Sequence, residues 1–161
     1  MSKHPSHPDR TRRIIVKGAI ASGLIGFAGI PPLAQAADAS KWPKDAFGQK
    51  TEADAIKALY GKAAEESASV KLDAPEIAEN GAVVPLSISS TLPDVTSISL
   101  LVSENPFPLA ASYKIPAGAS AMVATRVKMA KTSKVLALVE SGGKVYSAAK
   151  EVKVTVGGCG G

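Results

Sequence analysis

The chain has 161 residues with one cysteine and two histidines, and 19 lysines and arginines against 14 aspartates and glutamates give a formal charge of +5. Both histidines, His4 and His7, fall in the first 36 residues, so the rest has no imidazole for a Ser-His-Asp or Cys-His arrangement and too few ligands for zinc or another transition metal. The paired cysteines that attach haem covalently are missing, and the scattered carboxylates form no outstanding pair, so a self-contained enzyme is not expected.

Residues 1–36 read as an export leader. They hold Lys3, Arg10, Arg12, Arg13 and Lys17 against Asp9, leaving 14 basic and 13 acidic residues beyond. With that near balance and no run of like charge, a nucleic-acid partner has no electrostatic footprint. Arg12 and Arg13 precede Ile14, Ile15, Val16 and Lys17, which is the twin-arginine pattern. A weakly apolar stretch, Gly18 to Ile30, then Pro31 and Pro32, leads to Ala34-Gln35-Ala36, a small-x-small cleavage site ahead of Ala37. That stretch covers roughly 20 Å of a hydrocarbon core ~30 Å thick, so no membrane anchor is expected. No cysteine lies near the cleavage site to take a lipid. The mature chain is expected to start at Ala37 and to reside in the periplasm. Twin-arginine export carries folded proteins, often after a cofactor or partner has been acquired. No cofactor ligands are visible here, so the route points to a partner subunit carried across in the folded complex.

Residues 37–69 read as a helical lead-in. Thr51 with Asp54 makes a weak capping-box start, Ile56, Leu59 and Tyr60 line one face, and Gly61 stands at the C-cap. Trp42, Phe47 and Tyr60 are expected to anchor this segment to the main domain or to a partner.

Over residues 70–156 the period becomes two. Val84, Leu86 and Ile88 alternate with Pro85, Ser87 and Ser89; Ile98, Leu100 and Val102 alternate with Ser97, Ser99 and Leu101. Val123, Thr125 and Val127, then Val152, Val154 and Val156, repeat the pattern. One apolar and one mostly polar face predicts antiparallel sheet with one side wet. Asn80-Gly81, Pro93-Asp94, Pro106 with Pro108, Pro116-Ala117-Gly118 and Gly142-Gly143 separate the runs, the last as a two-residue hairpin between 135–141 and 144–148. About seven strands at roughly ten-residue spacing predict a mainly β fold, an immunoglobulin-like antiparallel β-sandwich. Pro85 within a strand pattern predicts an edge or a bulge.

Residues 157–161 are Gly157, Gly158, Cys159, Gly160 and Gly161. Four glycines leave no side chain to pack and few backbone restrictions, so this segment is expected to be a flexible arm, thin enough to enter a narrow cleft in another protein. A soft nucleophile on such an arm suits covalent substrate attachment at Cys159. No cation lies within the arm and a terminal carboxylate is two residues away, so the thiol is not expected to activate itself. The competing reading is an exported structural β-sandwich cross-linked between subunits through Cys159.

A twin-arginine leader, a small β-sandwich and Gly157-Gly158-Cys159-Gly160-Gly161 together resemble the SoxY family, the carrier subunits of the periplasmic sulfur-oxidising multienzyme system for thiosulfate. The resemblance implies no cofactor and no metal, only a covalent sulfur adduct on Cys159. It implies a haem-containing cytochrome that couples thiosulfate to that cysteine as an S-thiosulfonate. A hydrolase that releases sulfate is implied next, and a molybdenum-haem dehydrogenase for the remaining sulfane sulfur. It also implies a heterodimer with a β-rich SoxZ subunit that lacks its own leader.

Overall fold

The computed structural model describes residues 42–155. Two helices come first, α1 (Lys44–Phe47) and α2 (Glu52–Tyr60). Extended Thr51 accepts the Asp54 N–H at 3.1 Å and donates its hydroxyl proton to the Asp54 carboxylate at 2.7 Å. The aspartate, shorter than the glutamate of a full capping box, reaches the capping hydroxyl. Gly61 closes α2 in the left-handed region at φ 67° and donates to the Lys57 carbonyl at 2.8 Å.

Nine strands follow: β1 (Glu65–Glu66), β2 (Val70–Asp73), β3 (Ile77–Ala78), β4 (Val84–Ser90), β5 (Val95–Val102), β6 (Leu109–Lys114), β7 (Met122–Val127), β8 (Ser133–Ser141) and β9 (Lys144–Val154). The larger sheet runs β1-β9-β8-β5-β6 with β3 also on β9, and the smaller runs β2-β4-β7. β1 and β3 lie parallel to β9 at its two ends, pairing Glu65 with Tyr146 and Ile77 with Lys153. Strand pairing thus begins at Glu65, ahead of residue 70, because a two-residue bridge carries no period to read. The seven longer strands, lettered A to G in chain order, pair as A-B-E and D-C-F-G. The fourth stays bonded to the third instead of joining the smaller sheet, as it does in the constant-type immunoglobulin arrangement.

Between the sheets lies a core of modest side chains, with Val84, Ile88, Ile98, Leu100, Val135, Val139 and Val152 essentially inaccessible. The other face of the larger sheet was expected to be wet and is dry. Leu101, Leu109, Leu136, Leu138 and Val145 pack there against Ala46 and Ala55, with Phe47, Ile56, Leu59 and Tyr60 around them. The cause is in β8, where Val135-Leu136-Ala137-Leu138-Val139 runs apolar without a break, the composition of a strand covered on both faces. Burying a leucine such as Leu138 contributes about 1.5–3 kcal/mol. α2, at nine residues, is too short to persist alone in water, so helix and sheet face stabilise one another. The anchoring expected of Phe47 and Tyr60 is therefore met, whereas Trp42 stacks on Phe47 at 4.5 Å with 57 % of its surface exposed.

Ser97 and Ser99, assigned to the wet face by the alternation, are buried beneath Tyr60. Their hydroxyls are paired: Tyr60 Oη lies 2.8 Å from Ser99 Oγ, while Ser97 donates to Tyr60 Oη at 3.3 Å and lies 3.2 Å from Glu140 Oε2. Ser99 reaches Ser112 at 2.9 Å, and no buried side-chain polar atom among the described residues lacks a partner. The smaller sheet keeps the expected alternation, with Pro85, Ala124 and Arg126 exposed. Pairing of β2 with β4 stops at Asp73 and Ser87, so the proline, which has no N–H, sits where β4 has lost that neighbour. Gly142 and Gly143 both have positive φ, 55° and 75°, as a two-residue type I′ hairpin requires.

Candidate functional site

The site begins where β9 ends, because Cys159 follows four residues after Thr155, the last described residue. Three successive amides at this end are each fixed to a different place. Lys153 donates to the Glu76 carbonyl at 2.9 Å, Val154 to Thr132 Oγ1 at 3.0 Å, and Thr155 to the Ala78 carbonyl at 3.2 Å. The Thr155 hydroxyl lies 3.4 Å from the carbonyls of both Ala78 and Glu79. The alternation of a strand turns Val154 toward one neighbour and Lys153 and Thr155 toward the other, so the strand is held from both sides to its last residue.

Gly81 completes this base. Asn80 Oδ1 accepts the Ala82 N–H at 2.9 Å and its carbonyl accepts from Val83 at 3.3 Å, which makes the expected turn. The glycine is required by a close approach, since a Cβ there would meet the Met129 carbonyl oxygen at 2.7 Å and Val154 Cγ1 at 2.8 Å. Met129 N–H donates back to the Gly81 carbonyl at 2.7 Å, locking the crossing against the end of β9.

From this root, four residue steps at ~3.3–3.6 Å each limit Cys159 Cα to about 13–14 Å from Thr155 Cα. The base supplies a fixed origin for that reach and no chemistry of its own. Among the described residues no three Cys, His, Asp or Glu side chains gather to hold a metal. The phenol of Tyr60 is pushed above its ordinary value, first by burial, yet it lies at the end of α2 over Ser97 and Ser99 of β5 and is no part of the β9 root. No helix among the described residues is long and apolar enough to cross a membrane.

Every site residue expected from the sequence lies outside the described residues: Arg12 and Arg13, Ala34, Ala36 and Ala37, and Gly157, Gly158, Cys159, Gly160 and Gly161. What sequence reasoning missed is the root itself, made by Ala78, Gly81, Thr132 and Thr155. Thr132 and Thr155 read as ordinary polar positions, and their contacts join residues 22 and 77 positions apart, which no local pattern signals.

The described residues thus define an immunoglobulin-like β-sandwich backed by two short helices, with a pinned final strand leading toward a glycine-framed cysteine. The family described as "Sulfur oxidation protein SoxY" matches residues 56–159, from within α2 to the cysteine itself. This chain belongs to the SoxY family. It is similar to the sulfur carrier protein SoxY from Chlorobium limicola f thiosulfatophilum at 41% identity and a TM-score of 0.60, over 65% of this chain and 96% of that one. Two further solved structures resemble it weakly. A chain from the structure described as "Structural basis of T cell specificity and activation by the bacterial superantigen toxic shock syndrome toxin-1" is 12% identical with a TM-score of 0.41, over 55% of this chain and 100% of that one. An engineered protein is 15% identical with a TM-score of 0.40, over 54% of this chain and 20% of that one. No curated protein matches the chain.

Proposed function

We propose that this protein carries sulfur intermediates of thiosulfate oxidation as covalent adducts of Cys159. The observation that carries the reading is the family match, which extends to that cysteine, together with 41% identity to a sulfur carrier protein. The anchored end of β9 supports it, since a carrier needs a tether whose origin does not drift.

In the loading step the Cys159 thiolate and the terminal sulfur of thiosulfate form an S–S bond. Two electrons leave, one at a time, by way of a haem-containing partner cytochrome to its own electron acceptors, giving a cysteine S-thiosulfonate. Water then attacks the sulfonate sulfur in a partner hydrolase. The S–SO3 bond breaks, sulfate and two protons depart, and a persulfide anion remains on Cys159. A molybdenum-haem dehydrogenase is the third partner class, oxidising that sulfane sulfur. Bond-making catalysis lies in these partners; this chain supplies the nucleophile, its reach and its presentation. The protein works in the periplasm, exported folded with a β-rich SoxZ-like subunit.

Intact mass under non-reducing conditions tests the reading. Mature protein incubated with thiosulfate and the cytochrome should gain the mass of one thiosulfate, and Cys159→Ser should gain nothing and support no electron transfer. Serine is nearly isosteric but cannot form the S–S bond. Unchanged turnover by Cys159→Ser would remove the carrier role, and a doubled mass without small adducts would favour a cross-linked structural protein.

A further inference from the structure

The two lateral edges of the sandwich differ in cover and in charge. On one side β9 is flanked by β1 and β3, and Glu65, Glu66, Glu76 and Glu79 lie in or beside those short strands. On the other side, among the described residues, β7 pairs with β4 alone. Ser90 N–H donates to the Ala121 carbonyl at 3.0 Å, which fixes the alternation of that ladder. Val123, Thr125 and Val127 therefore turn their main-chain groups to β4, while Ala124 and Arg126 turn theirs outward; the Met122 N–H is already taken by the Ser120 carbonyl at 2.8 Å. The register from Val84↔Val127 to Ser89↔Met122 has no bulge, and β7 has no proline. Bulges and prolines are among the devices that blunt an edge, and charge is the one present here.

That charge has one sign. From Asn105 to Val139 the chain has no aspartate or glutamate, while Lys114, Arg126, Lys128, Lys131 and Lys134 fall within it. The ion pairs among the described residues join Lys131 to Glu104 and Lys134 to Glu52, leaving Arg126 and Lys128 exposed without an acid. Met122 beside them is 61 % exposed.

We propose that the β7 edge accepts an extended, acid-bearing strand of a β-rich partner as the fourth strand of the smaller sheet. Main-chain bonds to Ala124 and Arg126 supply the pairing, and glutamates or aspartates opposite Arg126 and Lys128 supply the selection. A second copy is the poorer occupant because its β7 is the same basic strand, and its glutamate-bearing edge at β9 is already flanked by β1 and β3. The inference rests on the proposed function only for the source of that strand, the co-exported subunit.

Amide exchange resolved by residue tests it on the mature chain in three states: alone, with the co-exported subunit, and with capped hexapeptides of alternating valine with glutamate or with lysine. Alone, Ala124 and Arg126 should exchange fast beside slow Val123 and Thr125. The subunit and the glutamate peptide should each slow those two by at least about tenfold, and the lysine peptide should not. Ala124→Pro removes only an outward N–H, a change an edge strand tolerates, and should weaken subunit binding about tenfold without unfolding the chain. Arg126→Glu with Lys128→Glu should abolish the preference for the glutamate peptide. A complex in which the β7 amides still exchange fast overturns this inference and leaves the partner of the proposed function standing. Protection by the glutamate peptide when no subunit travels with the chain does the reverse. Protection in the chain alone that grows with concentration assigns the edge to a second copy, and equal protection by both peptides removes the acidic assignment; either overturns the proposal.

Discussion

An alanine at Gly81 would place its methyl carbon 2.7 Å from the Met129 carbonyl oxygen and 2.8 Å from Val154 Cγ1. The first contact is backbone, and the Met129 N–H bond to the Gly81 carbonyl keeps it from withdrawing. Gly81→Ala is expected to cost about 1–3 kcal/mol, seen as a lower urea midpoint, and to speed exchange of the Thr155 amide. Tyr60 makes a second prediction. Its partners keep other bonds, Ser97 to Glu140 and Ser99 to Ser112, so Tyr60→Phe should cost only about 0.5–1.5 kcal/mol. Burial above all raises the phenol, so the folded state holds the proton more tightly than the unfolded chain. Stability from this group is complete below the unfolded value of about 10 and is lost as pH rises from there through the folded value. Thermal melts of the native protein should decline over that range, and the phenylalanine variant should lack this part of the decline.

At the scale of elements, α2 and the face of β8 and β5 beneath it form one unit. Thr51→Ala removes the hydroxyl that caps α2 and should cost about 1 kcal/mol, with exchange rising in α2 before it rises in β4 or β7. Equal acceleration throughout would mean that the helix does not open by itself. The helix was legible in the sequence because Thr51 and Gly61 mark its ends, and the strands because alternation and turn residues mark theirs. The cover was readable too, had the unbroken run Val135–Val139 been weighed as a two-sided strand and not as half of a hairpin. Ser97 and Ser99 misled because serine is an outward signal, whereas here each hydroxyl finds a buried partner. The root of the carrier segment was hidden for a different reason. Its hydrogen bonds depend on which distant segments the topology brings beside β9.

For the whole molecule, the leader gives a prediction separable from the fold, since all the described elements lie beyond residue 41. Arg12→Lys with Arg13→Lys should leave uncleaved precursor and its partner in the cytoplasm, detected by fractionation and N-terminal sequencing, with the circular dichroism of a β-sandwich retained. Normal amounts of protein beginning at Ala37 in the periplasm would refute the twin-arginine assignment. The placement of β9 also has a mechanical consequence. A pull on Thr155 along the axis of β9 runs at right angles to its bonds with β8, from Ser133↔Val152 to Ser141↔Lys144. The load then falls in shear on nine residue pairs together, with β3 and Thr132 gripping the loaded end. A strand pulled sideways from a sheet would instead unzip one pair at a time. A load carried in shear must break those pairs together, which makes the end of β9 a firm root for the segment that follows.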